Sequence, residues 1–214
     1  MAKRQPGRLP PRLLRRPLRL LRPQDAADSY TNPRAEFARL ARVGVLHRVA
    51  TGYYVPVPDD HLDRAWLPEL ESVALGTAAA DEGIGTVALM GLSAARIHGA
   101  LPRAVAVAVV AAARHRAPLS LADRDATVLY VRRDVSRIDV ERRDLELGQG
   151  WVTTVEQTVL DLAARPELGG LPAEAGEAIR ALLPMADRQL LAELAAAQRR
   201  RATLTRLLRE TGSA

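Results

Sequence analysis

Asn32-Pro33-Arg34-Ala35-Glu36-Phe37-Ala38-Arg39-Leu40-Ala41-Arg42-Val43-Gly44 carries a helix with both ends written into it. Asn32 is a side-chain cap, and Pro33 suits the first helical position, where its missing N–H costs nothing. Gly44 accepts the left-handed angles that close a helix. Phe37, Leu40 and Val43 recur at i, i+3 spacing and are expected inward, while Arg34, Arg39 and Arg42 fall on the opposite arc. Directly behind come Val45-Leu46-His47-Arg48-Val49 and Tyr53-Tyr54-Val55-Pro56-Val57, flanking Ala50-Thr51-Gly52. Two β-rich runs about a glycine turn predict a hairpin, and Pro56 puts its second strand at an edge.

Working upstream, Pro10 and Pro11 open a short helix, Arg12–Arg16, with Leu13 and Leu14 expected inward and Pro17 ending it. Leu18, Leu20 and Leu21 lead into a second short helix near Pro23–Ala27, and Asp28-Ser29-Tyr30-Thr31 reads as a turn. Three short helices and then a hairpin is the order of a winged helix-turn-helix, which assigns residues 1–58 as a DNA-binding domain. Residues 1–8 read as a basic arm.

Downstream, Asp59 and Asp60 are expected to start a helix running through Trp66, Leu67, Leu70 and Val73 to about Ala80, broken by Gly83 and Gly85. Val87–Gly91 is apolar, and Ser93–His98 predicts a short helix closed by Gly99. A buried strand is expected at Val105–Ala111, then a polar loop at Arg114–Asp125. Strands at Thr127–Arg132 and Arg137–Arg142 alternate apolar and polar residues, as half-buried strands do. Thr154-Val155-Glu156-Gln157 is a capping box opening a helix to Ala164. Pro172 begins a run of C-terminal helices, interrupted at Pro184 and ending in a basic segment, Arg199–Arg209. Residues 59–214 therefore read as a mixed α/β domain that ends in helices, and the whole chain as α+β.

The 214 residues contain no cysteine, which excludes disulfides and thiolate metal sites. Aromatic residues are only 3%, too few for the stacking platforms of single-strand binders. No apolar run approaches the length needed to span a bilayer, so the expected location is the cytoplasm. Charge is unevenly distributed. Lys3 and eleven arginines against Asp25, Asp28 and Glu36 leave residues 1–50 at +9, and out of a whole-chain +6 the remainder is −3. Such asymmetry suggests a polyanionic partner for the N-terminal quarter.

A helix in the major groove offers its N-terminal residues to base edges. Here these are Tyr30, Thr31, Asn32 and Arg34, with Arg34 suited to guanine and Asn32 to adenine unless it is occupied as the cap. Arg39 and Arg42 suit phosphate contact, and His47, Arg48 and Thr51 lie where a wing meets the backbone. Arg12, Arg15, Arg16 and Arg22 belong to a stretch, Arg4 to Arg22, that carries no acid and is suited to tracking phosphates.

Enzyme signals are weak. His47, His61, His98 and His115 show no metal-ligand spacing, and His98 is expected to pack or hydrogen-bond within the fold. No nucleophile elbow, Walker or dinucleotide fingerprint is present. One nuclease-like pattern exists, Asp123 and Asp125 followed by Glu141-Arg142-Arg143. Arg143 stands where a lysine is wanted, and it cannot deprotonate to act as a base. The expectation is a non-enzyme without cofactor or metal. The alternatives are a winged helix carrying a nuclease-like domain, and a protein-interaction module with a basic arm.

Phe37–Tyr54 resembles the helix-and-wing signature of AbiEi-type antitoxins. Gly91-Leu92-Ser93-Ala94-Ala95-Arg96-Ile97-His98-Gly99-Ala100-Leu101 resembles the family's Ser-Ala…His-Gly helix. Val152-Thr153-Thr154-Val155-Glu156-Gln157-Thr158-Val159-Leu160-Asp161-Leu162-Ala163 resembles its Thr-Thr…Thr-x-x-Asp-Leu-Ala segment. The three occur in family order and span most of residues 18–165. The resemblance implies an antitoxin of a type IV toxin–antitoxin pair, a repressor that binds inverted repeats in its own promoter. It also implies that the chain counteracts a nucleotidyltransferase-like toxin. The long basic start and the proline-interrupted first helix depart from the family pattern.

Overall fold

A computed structural model of the protein describes residues 9–61 and 65–212. The proposed arm, residues 1–8, lies outside them. Among the described residues the chain is α+β, with eight α-helices and two sheets.

The first segment is built as its local signals dictate. Helix α1 (Pro11–Leu14) is a single turn. With so short a helix only one leucine can face inward: Leu13 is buried and Leu14, expected beside it, is exposed. A tight turn at Pro17–Arg19, with Leu18 and Arg19 at φ +51° and +50°, is followed by a three-residue-per-turn helix at Pro23–Ala26. Helix α2 (Pro33–Arg42) starts where Asn32 accepts a hydrogen bond from the Ala35 N–H at 3.2 Å, and Gly44 follows at φ +79°. Phe37 and Leu40 are buried, but Val43, just past the last helical residue, turns out to solvent. Strands β1 (Leu46–Ala50) and β2 (Tyr53–Pro56) pair antiparallel about Thr51-Gly52, with Gly52 at φ +84° and an irregularity between Arg48 and Ala50. On the other side of β2, Leu21 and Tyr54 exchange backbone hydrogen bonds of 2.8 and 2.9 Å.

This hairpin is two-faced, because side chains alternate along extended backbone. Leu21, Leu46 and Tyr54 join Leu13, Phe37 and Leu40 in a local core. Leu20, Val49, Ala50 and Val55 point the other way, into the core of the remaining chain. The apolar contacts therefore run continuously across residue 58.

The second segment is a six-stranded mixed sheet made of β3 (Ala88–Leu89), β4 (Val107–Ala112), β5 (Leu119–Ser120), β6 (Thr127–Arg132), β7 (Val140–Leu145) and β8 (Gly148–Thr153). Its strand order is β5-β6-β4-β3-β8-β7; β4 and β6 are parallel, as are β3 and β8. One sheet face packs on α3 (Leu70–Glu82) and the hairpin. The other carries α4 (Gly91–Ile97), α5 (Val155–Ala164), α6 (Pro172–Leu182), α7 (Arg188–Ala197) and α8 (Arg201–Thr211). Helix α3 lies between sheet and N-terminal segment, so Glu71 to Ala79 are all buried.

Other expectations also need correction. The helix expected from Asp59 is a short turn, Asp59–His61, and α3 begins only at Leu70, leaving Trp66 and Leu67 in non-helical chain. Pro68 is the reason: inside a helix it would remove a hydrogen bond and clash with the preceding turn. The strand expected at Arg137–Arg142 lies three residues later, because the Asp134 carboxylate accepts from the Ser136 N–H and turns Val135–Arg137 into a tight helix. Strand β8 was not foreseen, and the loop at Arg114–Asp125 contains the two-residue β5.

Candidate nucleic-acid interface

The outer arc of α2 holds Arg34, Arg39 and Arg42, all exposed. They are not equivalent. Arg39 donates two hydrogen bonds to Glu36, at 2.7 and 3.0 Å, and that guanidinium holds the Glu36 carboxyl below its usual range. The pair faces solvent, where water and salt screen it, so it is easily exchanged for another anion. Arg34 and Arg42 have no acidic partner among the described residues. In the hairpin turn, Arg48 donates to the Thr51 hydroxyl at 3.0 Å and likewise meets no acid. Arg34, Thr51, Arg22, Tyr53 and Asp81 line one cleft of about 280 Å³. The first turn of α2 and the hairpin turn thus share a basic, open border.

The other sequence-selected residues sort by their partners. Asn32 is occupied as the helix cap, Thr31 is exposed and Tyr30 packs against the local core. Arg15 is exposed and unpaired among the described residues. The stretch containing Arg12, Arg16 and Arg22 has no acid of its own, yet folding supplies three. Arg12 meets Asp28 at 2.9 Å, Arg16 meets Asp25, and Arg22 meets Asp25 and Asp81. Asp25 and Asp28 already enter the +9 of residues 1–50, so folding adds only Asp81 to the balance but fixes which arginines are paired.

His47 leaves the candidate surface. Its Nε2 lies 2.8 Å from Asp123, its ring edge meets Trp66 at 5.9 Å, and the neighbouring Val49 carbonyl accepts from Ala122 at 2.8 Å. It ties the hairpin to the loop between β5 and β6. Burial alone would raise Asp123 above the ordinary 3.8; hydrogen bonds from His47 and Arg124 outweigh it and hold the carboxyl lower. A carboxyl lowered in the folded state contributes stability that is complete above its unfolded value and is lost as pH falls through the folded one. The fold is therefore expected to lose stability below about pH 4, and Asp123→Asn to lessen that loss. Urea midpoints over an acid pH series test this; identical acid profiles for the two proteins would refute it.

Sequence reasoning did not single out Asp81, which lines the cleft, or Arg116, which pairs with it. The Tyr53 hydroxyl donates to Asp81 at 2.6 Å, Arg116 reaches Asp81 at 2.7 Å, and the Arg116 guanidinium lies 3.9 Å from the centre of the Tyr130 ring. Burial, reinforced by the Asp81 carboxylate, pushes the Tyr53 hydroxyl far above its ordinary range, so it remains a donor. No local pattern links residues this far apart.

The two downstream stretches of the resemblance are structural ties. The Ser93 hydroxyl accepts from the Val109 N–H, His98 Nε2 meets the Thr153 carbonyl at 2.7 Å, and Thr153 bonds Thr158. Asp161 binds Arg133 and Arg200. The nuclease-like pattern does not assemble: Asp123 precedes β6 and Glu141 lies on β7, toward opposite edges of the sheet. Among the described residues no three metal-ligating side chains converge, and no helix is long and apolar enough to cross a membrane.

No family model matches this chain, and no curated protein is similar to it.

Proposed function

We infer that the chain binds duplex DNA through a winged helix-turn-helix in its first segment, with α2 as the recognition helix and the β1–β2 hairpin as the wing. The observation that carries this reading is the set of exposed arginines without acidic partners, Arg34, Arg42 and Arg48, on one helix-and-hairpin unit. An α-helix fits the major groove, and Arg34 in its first turn suits bidentate recognition of guanine. Arg42 and Arg48 suit phosphates, and Arg39 joins them when a phosphate replaces Glu36. The autorepressor and antitoxin parts of the reading rest on the three ordered stretches alone. On that reading the DNA is an inverted repeat in the chain's own promoter, and the second partner is a nucleotidyltransferase-like toxin.

Gel shifts on the upstream region over a salt series are the test. Each phosphate neutralised contributes about −0.9 to the slope of log affinity against log salt, so three free arginines give a slope of roughly −3 or steeper. Arg34→Ala is expected to relax sequence preference, and Arg42→Ala to weaken all duplexes alike. No shift, or affinity indifferent to salt, would end the proposal. A nucleotidyltransferase reading frame beside this gene would support the antitoxin part.

A further inference from the structure

Beside the hairpin turn lies an element from the second segment that the α2-and-hairpin reading does not use: the loop Ala113-Arg114-His115-Arg116-Ala117-Pro118. Arg116 is its anchor. One of its nitrogens lies 2.7 Å from Asp81 and 3.2 Å from the hydroxyl of Tyr53, the first residue after the turn. Its guanidinium is also seated over Tyr130. The Arg114 N–H donates to Glu82 at 3.1 Å, fastening the loop backbone to the end of α3.

Those ties leave the two neighbouring side chains, Arg114 and His115, displayed. Arg114 and His115 are exposed, and neither side chain has an acidic partner among the described residues. The acids facing this region are Asp81, bonded to both Arg22 and Arg116, and Glu82, which receives the Arg114 N–H. Together with Asp25 on the far side of Arg22, these acids face Arg22, Arg34, Arg114 and Arg116, which leaves an excess of one positive charge around the cleft and its rim. A fixed, acid-poor loop bearing an unpaired guanidinium beside the hairpin turn has the chemistry of a backbone clamp, since phosphate contacts need charge and position but no base edge.

We propose that loop 113–118 is a third DNA-contacting element, in which Arg114, assisted by His115, binds a phosphate beyond the reach of the hairpin turn. This rests on the DNA-binding reading above. It makes the second segment part of the binding surface, and Arg116 a positioning residue.

Fluorescence anisotropy with a labelled mixed-sequence duplex, titrated with the full chain at several salt concentrations, tests it. Arg114→Ala combined with His115→Ala is expected to make the salt slope shallower by about one and to weaken every duplex by a similar factor. Arg114→Lys alone should keep the wild-type slope. Arg114→Gln, which retains the side-chain stem, should behave as the alanine variant does and guards against a folding artefact. Wild-type binding with an unchanged slope in both Arg114→Gln and the double variant would overturn the loop's role while leaving the α2 reading intact. Absence of duplex binding by the wild-type chain would overturn both.

Discussion

Asp161→Ala is expected to cost about 3 kcal/mol or more of folding stability, within the range for removing one member of a buried ion pair. The Asp161 side chain is 1% exposed. One of its oxygens accepts from Arg133, from Arg200 at 2.7 Å and from Gln157 at 3.1 Å. These donors come from the end of β6, the start of α8 and α5 itself, so the carboxylate closes the C-terminal helices onto the sheet. Without it, two guanidinium groups, 18% and 22% exposed, face each other with no counter-charge between them. Arg200→Ala leaves the Arg133–Asp161 pair in place and should cost less. Urea denaturation of the three proteins gives the comparison, and hydrogen exchange should show α8 losing protection first in the aspartate variant. A loss under about 1 kcal/mol would mean the two arginines find water freely and the node is not structural.

Phe37→Ala is expected to cost about 3–5 kcal/mol, the usual penalty for emptying a phenylalanine site in a core. Phe37 is fully buried and meets Tyr54 edge-on, with centroids 5.3 Å apart. Tyr54 in turn holds Leu21 by two backbone hydrogen bonds. The loss therefore reaches α2, the hairpin and the chain entering from α1. Because this core is distinct from that of α5–α8, exchange protection should fall in residues 9–57 before the C-terminal helices respond. On the proposed DNA-binding reading, duplex affinity should fall in parallel, since a loosened α2 must be ordered on binding. Phe37→Leu fills most of the volume and should recover most of both losses. Uniform loss of protection along the whole chain would show instead that the two cores unfold together.

The candidate surface was partly legible in the sequence. The exposure of Arg34, Arg39 and Arg42 follows from helix periodicity, and the turn at Thr51-Gly52 from residue type. What the same stretch concealed was which cations are free. Asp28 and Asp25 fold back onto Arg12 and Arg16, and Asp81, 59 residues along, reaches Arg22. A count of charge along the chain subtracts Asp25 and Asp28 but registers neither which arginines they pair with nor the reach of Asp81. His47 looked like a hairpin contact to DNA because it sits on β1, yet alternation sends it toward Asp123 in the second segment.

Signals acting over a few residues determined α2, the hairpin, β4, β6 and α5: a capping side chain, a glycine past the last turn, a repeat of three or two. Those signals act through a few neighbouring residues, and here the tertiary arrangement agrees with them. The sheet order, the burial of α3 on every side, strand β8 and the Asp81 and Asp161 nodes were decided only when distant segments closed on one another. Strand β8 begins Gly148-Gln149-Gly150 and announces itself weakly, since its hydrogen-bond partners on β3 and β7 hold it as a strand. Ion pairs and strand neighbours depend on loop closure over tens of residues, for which adjacent side chains carry no code.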